Sequence, residues 1–308
     1  MRRLVLAALL VATGCSAAPG TGAPRTAAPT RSPSPPLTSS ADAVPQAPVS
    51  ASATSSAAPS APAHVVVVME ENKGADQVLS GTGAPYIQSL GRAGAVLTGY
   101  DAITHPSEPN YLALFSGSTQ GVASDACPLT FAGANLGSSL RASGRSFAGY
   151  SESLPAAGST VCSSGSGYAR KHSPWVDFTD LPASVNQPFS AFPSDYSALP
   201  TVAFVIPNLQ HDMHDGTIAE GDAWLRRNLG GYANWAGTHD SLLLVLFDES
   251  DAGADNRVAA VVYGAGVRPG RYPARVNHYS TLRWIEDLFG LPRLANSASA
   301  PPFPDIRP

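Results

Sequence analysis

Four short apolar runs punctuate the chain: "HVVVVM" (64–69), "TVAFVIP" (201–207), "SLLLVLF" (241–247) and "VAAVVYG" (258–264). Their hydrophobicity is continuous rather than alternating, as a strand covered on both faces requires. Around them apolar positions recur with a helical period, over 84–94, 109–117, 135–144, 222–235 and 278–290. Strands alternating with helices predict an α/β sandwich with a mostly parallel central sheet. Residues 151–200, rich in Ser, Pro and Gly, read as a long excursion from that core.

The beginning of the chain follows another pattern. Residues 1–15, "MRRLVLAALLVATGC", combine two arginines, an apolar run of signal-peptide length and small residues closing on Cys15. "ATGC" resembles a lipobox, with Ala12 where Leu is usual, so Cys15 is expected to carry lipid; an ordinary secretory signal cut nearby is the alternative. Residues 16–63 are dominated by Ala, Pro, Ser and Thr. Such a segment cannot bury enough surface to offset its ordering entropy and is expected to be a disordered tether. It would reach about 40 Å as a coil and about 150 Å as a polyproline helix. The folded domain is then expected over 64–308.

Formal net charge is -4, with 19 basic and 23 acidic residues, so the sequence carries no electrostatic footprint for nucleic acid. No later segment reads as a bilayer span, which leaves the N-terminal lipid as the expected membrane connection; no protein partner is indicated. If Cys15 is lipidated, Cys127 and Cys162 remain as a pair for a disulfide in an oxidising compartment.

The chemistry gathers where the strands end. "VVVVM" runs into Glu70, Glu71 and Asn72; "AFVIP" runs into "NLQHDMHD" (208–215); "LLVLF" runs into Asp248 and Glu249. Ligand sites of open α/β sheets lie outside the carboxyl ends of the strands. Carboxylates crowded on one rim repel one another unless a cation sits among them, and oxygen ligands with an Asn carbonyl suit a divalent metal. Glu71, Asn72, Asp248 and Glu249 are therefore candidate ligands. Ser107, inside "THPSEPNYLALFSG" (104–117), stands at a helix start, where backbone N–H groups favour a phosphate. A metal-bound Ser107 would be an activated nucleophile.

Taken together, "MEEN", "HPSEPNY", "PNLQHDMHD", "FDES" and "NHYSTLR" resemble the bacterial phosphoesterase family, which contains acid phosphatases and phosphatidylcholine-hydrolysing phospholipases C and is related to the alkaline phosphatase superfamily. The resemblance spans about residues 64–295. It implies an alkaline-phosphatase-like three-layer α/β core and a metal-dependent phosphoester hydrolase, holding one or two divalent ions and working through a phosphoserine on Ser107. By the same resemblance Asn110 steadies the phosphate through its amide. His214 and His278 serve as acid/base groups, phosphate binders or ligands of a second metal. Asp212 and Asp215 are both candidates beside them, with Asp215 preferred, and Lys171 and His172 meet the substrate; His105, two residues before Ser107, reads from its position as a substrate-side residue that orients the loop, with a packed or solvated role as the alternative. Asp248–Glu249 departs from the Asp-His pair of related phosphodiesterases, which leaves the metal open. His64, His211 and His239 read as structural or exposed, and Asp222 as a helix N-terminal acid.

The expected activity is that of an acid-phosphatase-type phosphomonoesterase on a small phosphoester. A phospholipase C or other phosphodiesterase is the rival; the chain closes in a Pro-rich tail soon after "GLPRL", which favours the small phosphatase. A Ser-His-Asp esterase lacks its G-x-S-x-G elbow here and leaves the acids unexplained. A ligand-binding surface lipoprotein on an inactive scaffold is the non-enzyme alternative.

Overall fold

The computed structural model describes residues 61–251 and 255–307. The expected signal peptide, Cys15 and all but the last three residues of the expected tether lie outside them. In chain order the elements are β1 (His64–Glu70), α1 (Ala75–Leu79), α2 (Pro85–Ala93), β2 (Ala95–Asp101), α3 (Ser107–Ser116), α4 (Leu136–Ala142), β3 (Phe147–Ser151), β4 (Asn186–Pro188), β5 (Val202–Ile206), α5 (Ile218–Ala236), β6 (Ser241–Phe247), β7 (Ala260–Gly264), β8 (Gly270–Asn277) and α6 (His278–Phe289).

The strands form one sheet in the order β4-β3-β5-β1-β6-β7-β2-β8. β7 runs antiparallel to both of its neighbours, β6 and β2, and every other pairing is parallel. All strands but β7 therefore point the same way, and the segments leaving β1, β2, β5, β6 and β8 emerge on one rim.

Val65 to Met69 are wholly buried, so β1 is covered on both faces, which is why its hydrophobicity is unbroken. Each such side chain contributes roughly 1.5–3 kcal/mol of burial. One cover is made by α2 and α5, which pack on each other and against β6 and β7; α3, α4 and α6 make another group. The edge strand β8, "GRYPARVN", is largely exposed, so it has no apolar run to announce it and tolerates Pro273. β2 lies close against it: a Cβ on Gly99 would come within 2.6 Å of the Ala274 carbonyl.

α3 is buried along its whole length. Its end is fixed by Gly117 in the left-handed conformation (φ 72°), whose N–H returns to the Ala113 carbonyl. A side chain there would strike the Leu294 carbonyl at 2.1 Å.

The 151–200 segment stays on the domain. β4 pairs with β3, and Cys127 is bridged to Cys162. The Arg170 guanidinium, buried, bonds the carbonyls of Thr160 and Leu129 and pairs with Asp177 at 2.7 Å. That knot fixes the 3₁₀ turn Arg170–His172, and with it the two residues that follow Arg170.

Candidate active site

Ser107 opens α3 and is 1% exposed. Its Oγ lies 2.9 Å from Glu71 Oε2 and 3.2 Å from Glu249 Oε1. Glu71 follows β1, while Asp248 and Glu249 follow β6, the strand paired beside it. One hydroxyl hydrogen cannot serve two carboxylates, so a proton or a cation must share the space. Asp248 Oδ1 accepts the Asn72 N–H at 3.1 Å, whereas its Oδ2 is buried with no partner. Asn72 reaches this geometry in the left-handed region (φ 54°), which Asn tolerates.

Behind Glu71 stands a second layer. Tyr111 donates to Glu71 Oε1 at 2.6 Å, and its ring stacks on His172 with centroids 4.9 Å apart. His172, 1% exposed, places Nε2 3.0 Å from Glu71 Oε1 and Nδ1 3.3 Å from Asp212 Oδ2. Asp212, wholly buried on the segment after β5, holds its own turn by accepting the His214 N–H at 2.8 Å.

These acids share one dry space, and their protonation shows it. Burial first, then Asp212, raises the Glu71 carboxyl to about 8. Burial raises Asp212 to about 7. Burial, Glu71 and Glu249 push Asp248 well up. Burial, with Lys171 and His214 nearby, holds His172 well below the usual imidazole range. A neutral imidazole has one N–H, so one of its two carboxylate neighbours faces a lone pair. Again a proton or a cation is called for.

A shallower ring forms the mouth. The His214 Nδ1 lies 2.8 Å from Asp215 Oδ1, and its Nε2 lies 3.4 Å from Lys171 Nζ. A carboxylate only accepts and an ammonium only donates, so His214 here carries its proton on Nδ1. Lys171 also donates to Asp125 at 2.7 Å. His105, 43% exposed in its side chain, pairs with Glu249.

The donor set fits a divalent cation. Among the described residues no group of three or more His, Cys, Asp or Glu side chains is arranged to hold a metal as it stands. The serine changes that picture. Adjacent oxygens of an octahedral shell, about 2.1 Å from the ion, are about 3 Å apart, and the Ser107 oxygen lies 2.9 and 3.2 Å from two carboxylates. Asp248 Oδ2 stands unpartnered, and Glu71 and Glu249 both act on its carboxyl. Glu71, Asp248, Glu249 and Ser107 are the residues that would hold the ion.

A model described as the Phosphoesterase family matches residues 77–292. The chain belongs to the phosphoesterase family. It is a hydrolase acting on phosphate esters. The matched span opens after Glu71 and Asn72; the fold nonetheless brings Glu71 to Ser107 and Asn72 to Asp248. A phosphatidylinositol-3-phosphatase of Mycobacterium tuberculosis is 50% identical over 274 residues, covering 88% of this chain and 89% of that protein. A probable acid phosphatase of Kluyveromyces lactis is 33% identical over 228 residues, 67% of this chain and 53% of that protein, so the chain spans about half the length of that fungal relative. Among solved structures, a protein in the alkaline phosphatase superfamily from Vibrio parahaemolyticus shares the fold, with a TM-score of 0.56 at 11% identity over 80% of this chain and 71% of that one.

Within this phosphoesterase domain most sequence expectations meet at one place: Glu71, Ser107, Asp248 and Glu249 at the floor, with Lys171, His214 and His105 at the mouth. Asn72 joins through its backbone N–H. His172, expected on the substrate side, lies instead in the floor between Glu71 and Asp212.

Three roles are corrected by geometry. Asn110 does not face a phosphate: its Oδ1 accepts the N–H groups of Ile103 and Thr104, and its Nδ2 donates to the carbonyls of Thr104 and Pro106. All its capacity goes into the loop before Ser107. Asp215, preferred over Asp212, sits 59% exposed and only orients His214, while Asp212 is the acid inside. His278 is not free for acid/base work. Its Nε2 lies 2.7 Å from the Asp248 carbonyl, which can only accept, so Nε2 carries the proton and Nδ1 takes the Tyr100 hydroxyl at 3.0 Å. Burial lowers it to about 4, so it is a neutral prop under Asp248.

Two contributors escaped the sequence reading. Tyr111 stands four residues after Ser107, and on a helix that spacing puts both on one face; the signal was available. Asp125 sits in a loop without periodicity, and nothing local announces it.

Proposed function

We infer that the protein is an exported, metal-dependent phosphomonoesterase that passes a phosphoryl group through Ser107. The observation that carries this is Ser107 itself: a buried hydroxyl at a helix N-terminus, hydrogen-bonded to Glu71 and within 3.2 Å of Glu249. The hydroxyl attacks phosphorus while its proton passes to a carboxylate within hydrogen-bond reach, Glu71 or Glu249, in its ionised form. The α3 N-terminus and Lys171 offer charge to the phosphoryl oxygens. A doubly protonated His214, its Nδ1 held by Asp215, would give the Nε2 proton to the departing alcohol. A divalent ion bound by Glu71, Asp248, Glu249 and Ser107 would supply neutralising charge and ease ionisation of the hydroxyl. Water then cleaves the phosphoserine, with net retention at phosphorus.

The substrate class follows from kinship: the relative half identical over 88% of the chain is named for a phosphate on the inositol ring of a lipid. A phosphorylated inositol headgroup is thus the proposed substrate. Export is supported by the Cys127–Cys162 bridge, which belongs to an oxidising compartment, and by the N-terminal sequence. No helix of the described residues is long and apolar enough to cross a membrane.

The test pairs substrates with a trap. Phosphatidylinositol 3-phosphate in vesicles, para-nitrophenyl phosphate and bis(para-nitrophenyl) phosphate are compared before and after chelation, and acid-quenched protein is searched for phosphoserine. Monoester turnover lost on chelation, with label on Ser107, is expected. Faster turnover of the diester, or chelation-insensitive activity without label, sinks the reading.

A further inference from the structure

Asp125 occupies the seat that a phosphate needs. Its Oδ1 accepts the Glu108 N–H at 3.1 Å, and its Oδ2 accepts from Lys171 Nζ at 2.7 Å. A helix N-terminal N–H and an ammonium on the two oxygens of one anion are the donors that phosphate binding at a helix start uses. Glu108 follows Ser107 on α3, and Lys171 and Asp125 act electrostatically on Glu71 and Glu249, the two carboxylates beside Ser107, so the pair stands close to the nucleophile. A carboxylate fixed there repels an incoming phosphate and keeps both donors engaged.

We propose that Asp125 is a built-in competitor of the substrate phosphate, a specificity-determining residue that must yield Lys171 and the Glu108 N–H before a phosphoryl group can take them. The location rests on Ser107 being the reacting group. The side chain can swing away alone, because the loop is anchored two residues on by the Cys127–Cys162 bridge. Asp125 is 31% exposed in its side chain and has solvent to move into. Burial pulls its carboxyl upward, but Lys171 and the Glu108 N–H outweigh that and hold it below the ordinary range, so it competes as an anion. The consequence is weak retention of inorganic phosphate, and with it rapid release of product.

The test is direct binding. In the Ser107→Ala protein, with and without added divalent ion, inorganic phosphate is titrated calorimetrically against Asp125 and against Asp125→Asn. The substitution is expected to tighten phosphate binding at least about five-fold, and adding Lys171→Met should cancel the gain. In the active protein Asp125→Asn should lower both KM and the inhibition constant of phosphate without raising kcat. Asp125→Ser, with the melting temperature and the disulfide checked, guards against a folding artefact. Unchanged or weaker phosphate binding in both variants means that Asp125 merely holds Lys171 in place and overturns the proposal, as does a gain that survives Lys171→Met. Because binding is read without turnover, absence of phosphatase activity would count against the proposed function and not against this competition.

Discussion

Ser107 Oγ and Glu71 Oε2 lie 2.9 Å apart, although α1, α2 and β2 intervene between them in the chain. The sheet makes that meeting: β1 delivers Glu71 to the rim, and α3 presents its first residue to it. Replacing Ser107 by Ala removes one small buried oxygen from a helix start that uses no side-chain cap, so the fold should survive. Turnover should fall roughly 10³-fold or more, as when other nucleophiles are removed. Circular dichroism and melting temperature beside kcat check both halves; activity within ten-fold of the parent would remove Ser107 from the chemistry.

Asn110 predicts a different signature. Four bonds tie its amide to the half-buried Ile103, Thr104 and Pro106, and each such bond to backbone contributes about 1 kcal/mol. Asn110→Ala should therefore lower stability by several kcal/mol and reduce kcat by loosening the loop before Ser107. Phosphate affinity per folded molecule should change little. A variant with parental stability but weakened phosphate binding would restore the amide as a phosphate ligand.

The fold was largely legible because strands covered on both faces leave continuous apolar runs, and four of these mark the parallel β1, β5 and β6 and the antiparallel β7. β8 and the short β4 left no such mark, being at the sheet edges; β2 was hidden because Thr98 and Gly99 break its run where it crowds against β8. The acids after β1 and β6 were readable for the same reason: strand ends are visible in sequence, and the rim is where they converge. Side-chain allegiance was not readable. Asn110 and His278 have the residue types of a phosphate site, yet their hydrogen bonds run to backbone that only the folded chain places. Asp212 and Asp215 differ by three positions and by complete burial against exposure, a distinction made by the turn after β5.

His278 offers a clean discrimination between prop and acid. With its Nε2 on the Asp248 carbonyl and its pKa near 4, it stays neutral across the working range and moves no proton at a reacting atom. His278→Gln, which retains a donor, should lower the melting temperature and kcat through the displaced Asp248 while leaving the shape of the pH–rate profile unaltered. Disappearance of one limb of that profile would make His278 an acid/base group after all. His214→Gln is the contrasting variant, expected to lower kcat with little loss of stability, because its ring lies partly exposed at the mouth.

The crowded floor makes stability depend on pH in a direction that can be worked out. Glu71 at about 8, Asp212 at about 7 and Asp248, also raised, favour folding while protonated. Their contribution is full below the ordinary carboxyl range, near pH 4, and is lost as pH climbs through 7 and 8. Glu108, raised to about 8 mainly by burial, adds the same sign. His172 and His278, both lowered by burial, act oppositely, but only below about 6.5, where the unfolded imidazole protonates. Between pH 6.5 and 8.5 the carboxyls alone remain, so the metal-free protein should lose about 5 °C or more of melting temperature. A divalent ion favours the ionised acids, so the stabilisation it gives should grow over that same interval, and Glu71→Gln should flatten both trends. Scanning calorimetry after chelation, repeated with added metal, decides it: a melting temperature level from pH 6.5 to 8.5, or a metal effect indifferent to pH, would mean that these carboxyls do not share one desolvated, cation-seeking space.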